Sequence, residues 1–359
     1  MSPDSSPAVL WVPAPTPALD VLGMPLARRI ALAASHAGFE RVVFEATPGT
    51  GGGLGADLAG TAAEVAPAGT PPRSDGGAPL VVLAPGTLPQ VWWLRRRLRE
   101  SAAPSEPPAA ASSPRAGTFL LRGASEVAPA ERWLLQSLVK DSEGFMSRHV
   151  ERRISLAISR RLAGTGVTPN AMTLVSVGVG LAGAAFFLSL RPPMQFAGAL
   201  LFLLHSILDG CDGELARLNF QESRIGGVLD FWGDNVVHSA VFACMALGWN
   251  LGTGEMWPLA AGLAAVFGTL ASAAYVYRQT MAEPKEGPQF TSVTTGRATR
   301  LSRLADALAR RDFIYLVVLL AAFGRAHWFL VAAAIGAPLF FLLLVAIDAA
   351  GRRLGRSFS

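Results

Sequence analysis

The sequence predicts an α-helical membrane protein: a six-transmembrane-helix bundle preceded by an amphipathic interfacial helix, with an N-terminal α/β soluble domain. Three observations carry this reading. The 359 residues are 51% hydrophobic and only 16% charged, with a mean hydropathy of +0.38, on the membrane side of globular averages. The apolar excess runs from about residue 171 to residue 350, whereas the first 125 residues are rich in Ala, Gly and Pro. The net charge of +5 comes almost wholly from arginine, and the arginines are spread unevenly around the apolar segments.

In the N-terminal part, "AVLWVPA" reads as a buried strand and "MPLARRIALAASHAG" as a helix with apolar residues at helical spacing, ending at Gly38 as a C-cap. "FERVVFEA" alternates as a strand, "GTGGGLGADLAG" reads as a glycine-rich loop, and "APLVVLAPG" as another strand. "LPQVWWLRRRLRES" reads as a helix, residues 102–117 as a Pro/Ser/Ala-rich connector, "TFLLRG" as a last strand and "EVAPAERWLLQSLVK" as a helix. Strands alternating with helices predict a small parallel α/β domain over residues 1–125.

Residues 126–168 then read as a linker and juxtamembrane helix. Ile154, Ala157, Ile158 and Leu162 mark an apolar stripe, surrounded by Arg148, Arg152, Arg153, Arg160 and Arg161. This is the pattern of a basic helix lying on a membrane surface.

Residues 169–353 hold six apolar spans, at about 171–190, 194–208 with helical continuation to 218, 225–251, 256–277, 312–325 and 327–350. Six spans put both termini on one side. That side would collect the Arg148–Arg161 cluster, a loop with Lys285, Arg297, Arg300, Arg303, Arg310 and Arg311, and a tail with Arg352, Arg353 and Arg356. The other would hold Arg191 and Arg325, so both termini are expected in the cytoplasm of a multi-pass protein of the cell (inner) membrane. The start, "MSPDSSPAV", lacks the basic and apolar regions of a secretory signal peptide. Cys211 and Cys244 lie in apolar segments without metal-like spacing and are expected to pack as reduced thiols.

Within the apolar half, "LDGCDGELARLNFQESRIGGVLDFWGDN" carries a dense run of charges. At about 100° per residue, Asp209, Asp212, Gly213, Ala216 and Arg217 share an arc of roughly 140°. Asp230 and Asp234 lie one turn apart on the next helix. If the two helices pack antiparallel across the turn near residues 219–223, four carboxylates converge at membrane depth. Left unpaired, they would be very costly there, and a hard divalent cation or two resolves the cost. Oxygen-only ligands favour Mg²⁺, Mn²⁺ or Ca²⁺ over zinc, and two carboxylate-bound metals suit phosphoryl transfer. Gly213 would let a phosphate approach the helix backbone, and Arg217 offers planar donors to a diphosphate.

The pattern D-x2-D-G-x2-A-R-x8-G-x3-D-x3-D, complete here as Asp209, Asp212, Gly213, Ala216, Arg217, Gly226, Asp230 and Asp234, resembles the signature of the CDP-alcohol phosphotransferase family. The resemblance covers residues 148–353 and includes "VTPNAMT" before the first span. It implies transfer of a phosphoalcohol group from a CDP-alcohol, of the CDP-diacylglycerol or CDP-inositol type, to an acceptor hydroxyl, with release of CMP. It also implies two Mg²⁺ or Mn²⁺ ions held by Asp209, Asp212, Asp230 and Asp234, with Asp234 acting as general base. Gly213, Arg217 and Ser223 would contact the CDP moiety, with Asn170 and Thr173 bordering its pocket. The partners it implies are the two substrates, the bilayer and a second copy in a homodimer; no nucleic-acid partner is expected. Two readings from other classes are a catalytically silent membrane scaffold and an ion or solute transporter that uses the intramembrane carboxylates. Transport leaves Gly213, Ala216 and Arg217 unexplained, and no metal ligand is substituted.

"VLGMPLARRIALAASHAGFERVVF" resembles a stretch of sugar-type nucleotidyltransferases. Such a domain fused to a CDP-alcohol phosphotransferase is similar to the bifunctional enzymes that make CDP-inositol and then a di-inositol phosphate. The strand "AVLWVPA" is followed by "PTPALDVLG", without the glycine-rich loop and basic residue that cytidylyl transfer needs, so the domain is expected to be non-catalytic. The GxGxxA match in "GGGLGA" has no acidic residue at the right distance and reads as a connector. His205 and His238 are expected to be hydrogen-bonded core histidines rather than metal ligands, and Asp348 to meet an arginine or lipid headgroups.

Overall fold

The structure, a computed structural model, describes residues 8–47, 51–72, 80–100, 117–139, 150–281 and 313–356. The chain divides into two compact units: residues 1–140 with 160–166 and 218–220, and residues 141–159, 167–217 and 221–359.

The first unit contains a four-stranded parallel sheet in the order β5-β4-β1-β6, built from β1 (Val9–Val12), β4 (Arg41–Glu45), β5 (Ala63–Ala66) and β6 (Leu80–Val82). β1 is buried along its whole length, as a central strand covered on both faces must be, and its "VLWV" run is apolar for that reason. α1 (Leu26–Ala37) buries Leu26, Ile30, Ala33, Ala34 and Ala37 at helical spacing, and Gly38 ends it in the left-handed region at φ 102°. Arg29 of α1 is also buried and donates from Nη2 to the Val21 carbonyl at 3.0 Å; desolvation pushes its guanidinium down to about 10. β2 (Asp20–Val21) and β3 (Met24–Pro25) form a short antiparallel ribbon before α1. Helices α3 (Val91–Glu100) and α4 (Val127–Ser137) stand where the apolar spacing places them.

Two expectations for this unit change. The glycine-rich stretch is not wholly a loop: α2 spans Gly51–Asp57, where Leu58 N–H donates to the Leu54 carbonyl and buried Leu58 anchors the turn. The strand at "TFLLRG", β8 (Thr118–Leu120), pairs antiparallel with β7 (Thr87–Pro89) in a separate ribbon and does not join the main sheet.

The second unit is helical: α5 (Arg152–Leu162), α6 (Pro169–Phe186), α7 (Pro192–Asn219), α8 (Arg224–Thr253), α9 (Trp257–Thr280), α10 (Phe313–Ala322) and α11 (His327–Arg356). Five of them, α6, α7, α8, α9 and α11, are long and apolar enough to cross a bilayer, and α10 is a shorter apolar helix. The protein is a membrane protein. The predicted start of the fifth span at residue 312 and the basic loop from Lys285 to Arg311 lie outside the described residues, as does Arg148.

The bundle is held by close backbone approach, as expected where lipid supplies no hydrophobic drive between helices. A Cβ on Gly183 of α6 would lie 3.1 Å from the Gly198 carbonyl oxygen of α7, and one on Gly198 would lie 2.8 Å from the Gly183 oxygen. Each glycine therefore makes room for the other helix. Around these crossings Phe187, Phe202, Val241, Phe242, Met245 and Phe329 fill the core. Asp348 of α11 accepts from Tyr275 Oη at 2.6 Å and from Gln279 Nε2 at 3.2 Å, both on α9.

In α5, Ser155 and Ser159 are buried, while Ile154 is 43% exposed. The small polar face is turned to protein, while of the apolar stripe Ile154 and Ala157 are exposed and Ile158 and Leu162 half-buried. A helix in contact with lipid can expose its apolar side without loss.

Candidate active site

α7 stays helical through its charged stretch because Glu214, Leu215, Ala216, Arg217 and Leu218 are all good helix formers. It ends in a Schellman-type turn: Phe220 takes φ 56°, and Gln221 N–H reaches back to the Ala216 carbonyl at 2.9 Å. Ser223 then caps α8, its side chain accepting from Gly226 N–H at 3.0 Å. This short connection returns the chain so that Asp230 on α8 faces Asp209 and Asp212 on α7.

Ligand oxygens of Asp209, Asp212 and Asp230 all lie within 4.8 Å of one another. Asp209 and Asp212 are each 5% exposed. Asp212 accepts from Thr173 Oγ1 of α6 and from the Gly213 N–H, so Thr173 orients a carboxylate of the cluster. Three carboxylates so close and so little hydrated repel one another strongly, and their donor set contains oxygen alone. That set fits a hard divalent cation better than zinc or copper. Asp234, one turn beyond Asp230, stands outside the group of three, and its Oδ1 meets His205 Nε2 at 3.2 Å.

Arg217 lies along α7 with its guanidinium beside Gly213; a Cβ there would stand 3.3 Å from Nη1. The glycine thus clears space for the arginine head as well as for any ligand. Arg217 Nε is buried without a hydrogen-bond partner among the described residues, a donor held ready for an acceptor. Asn170 sits where α6 and α8 begin: its Oδ1 would be 2.9 Å from a Cβ on Gly226, which also borders Ser223 Oγ. Asn170 and Ser223 therefore meet at Gly226. His238 packs edge-on against Phe202 and tilted against Phe313.

Glu214 is the site residue that spacing alone does not reveal. It is fully buried and accepts three hydrogen bonds from α5: Arg152 Nη1 at 2.6 Å, Ser155 Oγ at 2.7 Å and Ser159 Oγ at 2.6 Å. The hub fixes α5 against the helix that carries Asp209 and Asp212. The signal in the sequence is the period-four pair Ser155/Ser159 following Arg152, polar groups on the face that packs. Removing one partner of a buried ion pair typically costs about 3–5 kcal/mol. Glu214→Ala is therefore expected to lower the melting temperature of the detergent-solubilised protein clearly, and Glu214→Gln by less, because an amide oxygen still accepts from the serines. An alanine variant that melts with the wild type would show that the hub contributes nothing.

Residues 166–323 match the family model described as CDP-alcohol phosphatidyltransferase. The chain is 42% identical over 122 residues to a bifunctional IPC transferase and DIPP synthase of Thermococcus kodakarensis, a match covering 34% of this chain and 27% of that protein. It is 37% identical over 106 residues to a phosphatidylinositol phosphate synthase of Mycobacterium bovis, covering 29% of this chain and 47% of that protein. The chain thus spans less than half the length of either of these curated relatives. The crystal structure of Mycobacterium tuberculosis phosphatidylinositol phosphate synthase with CDP-DAG bound aligns over 54% of this chain and 94% of that one, at 25% identity and a TM-score of 0.37.

Proposed function

We propose that the protein is an integral membrane CDP-alcohol phosphotransferase that moves a phosphoalcohol group from a CDP-alcohol to an acceptor hydroxyl and releases CMP, in phospholipid or inositol-phosphodiester biosynthesis. The observation that carries this is the cluster of buried Asp209 and Asp212 with half-buried Asp230, with Asp234 one turn beyond Asp230 and Arg217 on the helix of Asp209 and Asp212. The family match over residues 166–323 supports it, and the donor in this reading is of the CDP-diacylglycerol or CDP-inositol type.

In this reading Asp209, Asp212 and Asp230 would hold Mg²⁺ or Mn²⁺, with Asp234 completing a site for two ions. When bound, the cations neutralise the diphosphate and the departing CMP. Arg217 donates to the diphosphate through its planar head, which Gly213 leaves room for. Asn170, Thr173 and Ser223 border the cytidine end, Thr173 by orienting Asp212 and Ser223 by ordering the start of α8. Asp234 takes the proton of the acceptor hydroxyl. The freed oxygen attacks the phosphorus bearing the alcohol, and the bond from that phosphorus to the oxygen retained by CMP breaks.

The architecture belonging to this reading is a six-span domain over residues 169–353. A juxtamembrane segment occupies residues 126–168, and a non-catalytic nucleotidyltransferase-like domain residues 1–125. Both termini lie in the cytoplasm, the protein sits in the inner membrane, and it works as a homodimer. The test is CMP release by the purified full chain over a panel of CDP-alcohols and hydroxyl acceptors with Mg²⁺ or Mn²⁺. Release with one donor–acceptor pair is expected; none from any pair would overturn the reading.

A further inference from the structure

His205 links three helices at one point. It lies on α7, one turn before Asp209, and is 1% exposed. Its Nδ1 is 2.9 Å from the Ser176 carbonyl of α6, and its Nε2 is 3.2 Å from Asp234 Oδ1 of α8. The Ser176 carbonyl and the Asp234 carboxylate can only accept, so the two contacts are hydrogen bonds when both ring nitrogens carry a proton and donate, which fixes the ring's orientation. The ring stacks on Phe202 at an interplanar angle of 12°, and Gly180 leaves space for it: a Cβ there would lie 2.9 Å from His205 Cγ. A ring held by its own hydrogen bond, by stacking and by packing presents Nε2 at a fixed place. What it meets there is one oxygen of the carboxylate that stands apart from the three clustered aspartates.

From this arrangement we infer that His205 is a positioning residue for Asp234. It holds the Asp234 carboxylate through Oδ1 at a set distance from the Asp209, Asp212 and Asp230 cluster. That sets the place of Asp234 beside the other cation ligands and poises it toward the acceptor hydroxyl. The inference rests on the proposed general-base role of Asp234. The logic is that of outer partners that orient a reacting or ligating side chain, whose loss typically costs about 10–100-fold. Glutamine at position 205 can still extend an amide donor toward Asp234, whereas leucine fills a similar volume and offers none.

The test compares His205→Leu and His205→Gln with the wild type in three readouts. In the first, kcat for CMP release should fall about 10–100-fold in the leucine variant, with the donor KM little changed, and glutamine should recover most of the loss. In an Asp234→Asn background, His205→Leu should add almost nothing, because the two residues act as one unit. In the second, Mn²⁺ binding by titration calorimetry should be unchanged in both variants. The third is independent of turnover: infrared difference spectra that isolate the Asp234 carboxylate, wild type minus Asp234→Asn, should shift in the leucine variant and return with glutamine. Additive losses in the double variant, lost Mn²⁺ binding, or an unshifted Asp234 band would overturn the positioning role. Absent CMP release from the wild type counts against the proposed activity alone, since the Asp234 band still decides on His205.

Discussion

Asp209→Asn is expected to reduce CMP release by more than the roughly 10²–10⁴-fold typical of a lost general base, and raised Mg²⁺ or Mn²⁺ should restore part of it. The side chain keeps its shape and one oxygen but loses its charge. In a cluster whose oxygens lie within 4.8 Å of one another, that charge is what holds a cation in place of water. Phosphate neutralisation and the relief of carboxylate repulsion then fail together. Asp212→Asn should behave alike, with a further loss because Asp212 is also the acceptor for Thr173 Oγ1 and the Gly213 N–H. Initial rates against metal concentration, beside calorimetric metal binding, check this. A variant with undiminished metal affinity but no turnover would move Asp209 out of the ligand set.

Asp234→Asn is expected to lower turnover by about 10²–10⁴-fold while leaving metal and CDP-alcohol binding largely intact. Asp234 stands outside the cluster of three and faces His205, so its loss removes a proton acceptor more than a ligand. An amide oxygen can still approach a cation but cannot take a proton. Added Mg²⁺ or Mn²⁺ should therefore do little for this variant where it helps Asp209→Asn. Equal rescue of the two would make Asp234 another ligand and end its assignment as base.

The helices of the bundle were legible because membrane helices announce themselves by length and apolarity: α6, α7, α8 and α9 fall within a few residues of the spans read from the sequence. The aspartate cluster was legible for a different reason. Its members sit in two helices at fixed local spacing, so the helical period alone puts Asp209 and Asp212 on one face and Asp230 and Asp234 on another. What joins distant segments was not legible. Glu214 meets residues 55–62 positions earlier, and His205 meets Ser176 and Asp234, each 29 positions away. No periodicity encodes such pairings. The polar face by which α5 packs was not legible either, because its acceptor Glu214 lies 59 positions from Ser155 and 55 from Ser159. The short strands β5 and β7 carry too few β-branched residues in too short a run to stand out, and their neighbours in the fold define them.

The grip of α5 on Glu214 sets a depth gauge for the chemistry. Five positions separate Glu214 from Asp209, about 7.5 Å along a helix rising 1.5 Å per residue. An interfacial helix rides about 5–10 Å into the boundary between headgroups and acyl chains. With α5 at that boundary, as proposed, the carboxylates hang close to headgroup level and not at the bilayer centre. A donor with acyl tails can then present its diphosphate without lifting its chains out of the lipid. A polar acceptor can reach the same point from water without crossing hydrocarbon. Under the proposed activity, the serine face of α5 would then do more than anchor the helix: it would fix the plane in which two substrates from different phases meet.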